Sequence, residues 1–145
     1  MDKVEDVLDH WAKDCDFNEA NILGEIARIP QLHAKYLRFL NDHKKESFKA
    51  KLRYDKMKEI KTSYYLGHLD QESLETYGWE QFDLRISKSS LEGYLNSDKL
   101  LTKLLQTKTF HDIAVSSCEH IMAEIRSRSF QMKSYVEYQK FLSGA

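Results

Sequence analysis

The chain holds one proline, five glycines and two cysteines in 145 residues. So few turn residues exclude a β-rich fold, in which each strand reversal needs its own tight turn, and favour long helices. Cys15 and Cys118 stand far apart with no CxxC context, so no disulfide framework is supported and both read as small, reduced hydrophobes. No run of 18 apolar residues occurs, and the opening MDKVEDVLDHWAKD carries acids where a signal peptide has an apolar core; a cytosolic protein is expected. His10, His33, His43, His68, His111 and His120 show no HxxxH, HExxH or mixed Cys/His spacing, which argues against a zinc site. Cys118-Glu119-His120 cannot pair nucleophile with base, because adjacent residues on a helix point about 100° apart. Asp70, Glu72 and Glu75 lack the glycine and the spacing of a calcium loop. With no GxxxxGK[ST] or GxGxxG either, no catalytic, metal or cofactor site is expected.

Charge is what the chain has in abundance, at 31% of residues, and it is sorted although the formal net charge is only −1. Residues 1–32 hold three Lys/Arg against eight Asp/Glu, and residues 33–61 hold ten against four. Residues 62–118 then hold five against eight, and residues 119–145 four against three. One basic block lies between acidic flanks, and this local excess bears on a partner where the net charge does not. Helical pairs such as Asp42 with Lys45, Glu46 with Lys49 and Asp55 with Lys51 or Lys58 offset part of it, at roughly 0.2–0.5 kcal/mol each. Four acids cannot offset ten bases. Rows of Lys and Arg along a helix suit a phosphate backbone, whose counterions they release. Tyr36, Phe39, Tyr54, Tyr64 and Tyr65 lie within or beside the block and could stack unpaired bases. The same face would also serve an acidic protein partner.

The apolar spacing predicts an all-α, elongated protein of long amphipathic helices, a single domain over 1–145 whose longest helices pack along a partner helix or another subunit. Val4, Val7, Leu8 and Trp11 mark a first helix, and a second pattern starts near Asn18 and meets Pro30, which kinks or restarts it. From there the basic helix runs over about 31–66. On an ideal wheel Ala34, Leu37, Leu40, Phe48 and Leu52 fall on one side, expected to face a core, and Lys35, Arg38, Lys45, Lys49, Arg53 and Lys56 form a separate stripe. Residues 67–88 read as an irregular loop. Ser89 or Ser90 is a candidate cap for the helix after it, and Ser97 or Asp98 for KLLTKLLQTK. From Phe110 a further amphipathic run, interrupted at Arg126 to Ser129, completes the oligomerisation helices over about 98–143. Its seam residues Ile121, Ile125, Met132, Tyr135 and Leu142 are candidates for the contact between copies, an intramolecular core stripe being the alternative.

LHAKYL from Leu32, HKKE from His43 and KTSYYLG from Lys61 occur in an order and spacing that resemble the UvsY recombination mediators of tailed bacteriophages. LNSDK from Leu95, Cys118, IRSRSF from Ile125 and the MK that follows extend the resemblance, which covers roughly residues 32–66 and 95–140. It implies a helical, non-catalytic protein without a cofactor, acting in the host cytoplasm as a ring-like homo-oligomer, a hexamer or heptamer. Its implied partners are single-stranded DNA, the phage recombinase and the phage single-stranded-DNA-binding protein, and its implied task is to place recombinase on DNA that the binding protein coats. The family's DNA-contact motif is a Leu-Lys-Ala-Arg-Leu-Asp segment leading into Tyr-Tyr. Set without gaps against Tyr64 and Tyr65, its lysine falls on Glu59 and its arginine on Lys61, while the most similar segment, FKAKLRY, starts ten residues earlier at Phe48. The expected DNA contacts are therefore Lys49, Lys51, Arg53, Lys58 and Lys61, with Tyr64 and Tyr65. The other reading is a helical adaptor or structural phage protein whose basic face binds an acidic protein.

Overall fold

The computed structural model describes residues 4–144; the side chain of Val4, expected on the first helix, lies outside the described residues. Within them every regular element is helical: α1 (Val4–Asp14), a single 3-10 turn (Glu19–Asn21), α2 (Ile22–Tyr65), α3 (Gln71–Tyr77), α4 (Lys88–Ser97) and α5 (Lys99–Leu142). The protein is all-α.

Two helices are longer than the sequence suggests. α2 runs 44 residues without interruption at Pro30, which forfeits one backbone hydrogen bond but leaves helix on either side. α5 also runs 44 residues, without a break at Phe110 or at Arg126 to Ser129. The caps sit where side-chain chemistry puts them. Ser87, not Ser89 or Ser90, caps α4 by accepting from the Ser90 amide at 3.2 Å. Asp98 opens α5 by accepting from the Leu101 amide at 2.9 Å. α2 and α3 both end in a left-handed glycine, Gly67 at φ 76° and Gly78 at φ 71°, with the following amide reaching back five residues (His68 to Ser63, Trp79 to Leu74). That second reversal cuts α3 out of the segment read as a loop.

The buried positions of both long helices step by alternating threes and fours. In α2 they are Leu32, Tyr36, Leu40, His43, Ser47, Ala50, Tyr54, Met57 and Lys61, all buried or half-buried. In α5 one such line is Leu101, Leu104, Lys108, His111, Val115, Cys118, Met122 and Ile125, with buried Ala114 and Ile121 beside it and Met132 beyond it. This is the spacing of helices that pack along a neighbour. The wheel reading chose the other side of α2: of its five apolar positions only Leu40 is buried, whereas Phe48 and Leu52 are 62% and 53% exposed. Polar residues on the true inner line (His43, Ser47, Lys61) disguised it.

The chain divides into two compact units. The first comprises the described parts of Met1–Lys45 and Phe110–Ala145. Its core joins Val7 of α1 to Leu32, Tyr36 and Leu40 of α2 and to Cys118, Ile121, Met122 and Ile125 of α5, with Trp11, Ile29, Phe39 and Val115 packed on it. The turn after α1 is gripped by two arginines: Arg28 donates to the Asp14 carbonyl and Arg128 to the Cys15 carbonyl, placing positive charge at a helix C-terminus. Asp14 itself holds Lys35 at 2.6 Å and the Tyr36 hydroxyl at 2.9 Å. His43 and His111 meet through their Nδ1 atoms at 3.0 Å in a buried contact. The second unit, Glu46–Thr109, packs the remainder of α2 and the start of α5 with α3 and α4.

Candidate nucleic-acid interface

Within the second unit, α2 turns Lys61 inward and its other bases outward. Lys49, Lys51, Arg53 and Lys56 are exposed and Lys58 is half-buried. Lys49 has a helical partner in Glu46 at 3.3 Å, a contact that water and salt screen heavily. From residue 46 to residue 58 five bases stand against Glu46 and Asp55. On the wheel Lys49, Arg53 and Lys56 flank one side of the line Ala50, Tyr54, Met57 and Lys61 and Lys51 flanks the other, and packing leaves all four in solvent.

The other expected contacts near the end of α2 are structural in their surroundings. Lys61 is 8% exposed. Its ammonium lies 3.0 Å from Asp98 Oδ2 and 3.9 Å from the centroid of the Trp79 ring, with Tyr64 at 5.2 Å. The Tyr65 hydroxyl donates to the same Asp98 oxygen at 2.6 Å, and Tyr64 donates to the Glu80 carbonyl at 2.8 Å. Tyr64, Tyr65, Trp79, Phe82 and Tyr94 pack ring against ring with centroids 5.0–5.8 Å apart. Burial alone would raise the Asp98 carboxyl, but the Tyr65 hydroxyl, the Leu101 amide and the Lys61 ammonium together hold it below the usual carboxylate range. Burial, and the bond it gives to Asp98, push the Tyr65 hydroxyl well above its ordinary value. The cluster ties the end of α2 to the cap of α5 and to the segment after α3. Lys61 is thus an inward-facing ion-pair partner, and Tyr64 and Tyr65 are half-buried members of a ring cluster.

The other aromatics expected to stack bases are also engaged. Tyr36 is fully buried, Phe39 packs on the first unit's core, and Tyr54 is half-buried. Phe48, which sequence reasoning assigned to a core, is the exposed ring of the described part of α2. Residue types gave no signal for it, since the inner line of α2 carries His43, Ser47 and Lys61.

The expected seam of α5 divides likewise. Ile121 and Ile125 belong to the first unit's own core and Met132 is 3% exposed, so these three bury inside one chain. Tyr135 is half-buried beside a cleft of about 330 Å³ that it lines with Phe17, Arg128 and Met132. Leu142 is 60% exposed, as are Phe130, Tyr138 and Phe141 to 74%, 59% and 77%. Among the described residues no three His, Cys, Asp or Glu side chains are grouped to hold a metal ion, and no helix is long and apolar enough to cross a membrane.

Comparison with known proteins gives one family. The family described as "Recombination, repair and ssDNA binding protein UvsY" matches residues 10–145. A relative from Enterobacteria phage T4, "Recombination protein uvsY", is 23% identical over 143 residues, 98% of each chain. Two crystal structures of the bacteriophage T4 recombination mediator protein UvsY have the same fold at 22% identity. One has a TM-score of 0.87 over 99% of both chains; the other has 0.84 over 95% of this chain and 98% of that one.

Proposed function

Since the chain belongs to the UvsY family, we propose that it binds single-stranded DNA and acts as a recombination mediator, helping a phage recombinase onto DNA coated by single-stranded-DNA-binding protein. The observation that carries this reading is the row Lys49, Arg53 and Lys56, with Lys51 on the other flank, all left in solvent by the packing of α2. Phosphate contacts of this kind give affinity without sequence readout, as a protein must have if it acts wherever a strand is bared.

The site is Lys49, Lys51, Arg53 and Lys56, with half-buried Lys58 at its edge. Lys61 and Tyr65 are left out, because Asp98 already holds both. Several copies acting together would multiply a modest local charge into avidity along a flexible strand. Of the seam residues expected from the sequence, Leu142 and Tyr135 remain available to a neighbouring copy. A strand bent across such sites is strained against its coating protein, which eases exchange for recombinase. Nucleotide hydrolysis falls to the recombinase, since this sequence carries no phosphate-binding loop.

The test is the lag before recombinase becomes active on strands coated by the phage binding protein. Added protein should shorten the lag, and a Lys49→Ala/Arg53→Ala/Lys56→Ala variant should not. A wild-type chain that binds the strand and leaves the lag unchanged would reduce the proposal to DNA binding alone.

A further inference from the structure

Phe48 is 62% exposed and Leu52 53% exposed on the solvent side of α2. At about 100° per residue the two lie roughly 40° apart, with Lys49 and Lys56 about 80–100° to one side of Phe48 and Lys51 about 60° to the other. At roughly 1.5 Å rise per residue, Leu52 stands about 6 Å and Lys56 about 12 Å along the axis from Phe48. A bare ring therefore sits inside a frame of cations, while Tyr54, Tyr64 and Tyr65 of the same unit are drawn inward.

The charge of the frame selects the occupant. A second copy of the same face would bring five bases against five, with only Glu46 and Asp55 to relieve each set, so like charges oppose self-association there. An acidic peptide would satisfy the cations but has no general reason to present a flat apolar face every few ångströms. A single-stranded nucleic acid offers both, phosphates on one edge and unstacked bases on the other, whereas a duplex hides its bases.

We propose that Phe48, flanked by Leu52, is a stacking platform for unpaired bases, with Lys49, Lys51 and Lys56 holding the neighbouring phosphates. The inference rests on the single-stranded-DNA reading above and adds a base-contacting residue to it. It also gives the site a preference for unpaired over paired strands that cations alone do not supply.

Fluorescence anisotropy with labelled oligo-dT and with an abasic strand of equal length, each over several salt concentrations, tests it. Wild type should prefer oligo-dT. Phe48→Ala should weaken oligo-dT binding about 5- to 160-fold, as loss of one stacked base implies, with the abasic strand unaffected, the salt slope unchanged and the melting temperature preserved. Phe48→Trp should keep the preference. Equal binding of both strands by wild type and Phe48→Ala would overturn the platform and leave the phosphate reading intact. A change of oligomeric state in Phe48→Ala, seen by sedimentation, would overturn it in favour of a contact between copies. Failure of folded wild type to bind either strand at low salt would instead remove the single-stranded-DNA reading itself.

Discussion

Lys49 and Lys61 show how little a residue's identity says without its angular position. Both are lysines of one basic run, yet Lys49 faces water and Lys61 lies under Trp79 against Asp98. Lys61→Ala should cost about 3–5 kcal/mol, because it strands a buried carboxylate, and urea unfolding would show it; Lys49→Ala should leave the midpoint where it is. The Asp98 carboxyl is held below its unfolded value of about 3.9. Its contribution is therefore complete above that pH and lost as pH falls through the lower folded value. Asp14, which burial would raise but Lys35 and Tyr36 lower, adds in the same direction. Asp98→Asn should unfold more easily at neutral pH and lose stability less steeply below about pH 4; a pH series of urea midpoints measures both. Cys118, fully buried with its thiol pushed up to about 11, should resist thiol reagents at pH 8 until the protein unfolds.

At the scale of the element, the sequence revealed helices readily and their inner faces poorly. Val7 and Trp11 and the Asp98 cap could be read, because local spacing and capping decide them, whereas α3 and the full lengths of α2 and α5 could not. Nor could the inner line of α2, because it accepts half-buried Ser47 together with His43 and Lys61, which are matched by His111 and Asp98 from far along the chain. Large residues such as Phe48 and Leu52 lie off that line and mislead any wheel that scores hydrophobicity alone. The same holds in α5, where Lys108 and His111 interrupt a line that runs on through Cys118 and Ile125. Ile125→Ala should therefore cost about 2–5 kcal/mol as a core truncation, whereas Phe141→Ala, at 77% exposure, should leave stability unchanged and act on assembly instead. Chemical denaturation beside sedimentation separates the two effects. Folded monomers from Ile125→Ala at wild-type stability would contradict the core assignment.

Across the whole molecule, the short motifs that carry the family resemblance turn out to hold the fold. LHAKYL supplies Leu32, Lys35 and Tyr36 to the core and to Asp14; HKKE supplies buried His43; KTSYYLG and LNSDK meet through Lys61, Tyr65 and Asp98; IRSRSF places Arg128 on the turn after α1. A chain can thus keep the architecture of the T4 protein at 22% identity. That explains why the family was legible from the sequence. Contacts on a solvated face are constrained by charge and position rather than by packing, so a register fixed by buried residues need not preserve them. The central claim is that the outward row of α2 binds phosphates, and anisotropy of labelled oligo-dT against salt tests it most directly. Binding should fall linearly in log–log, and removing Lys49, Arg53 and Lys56 together should make the slope shallower by about 2, at roughly 0.7 per phosphate contact on a single strand. An unchanged slope in a folded variant, or no binding by wild type at low salt, would contradict it.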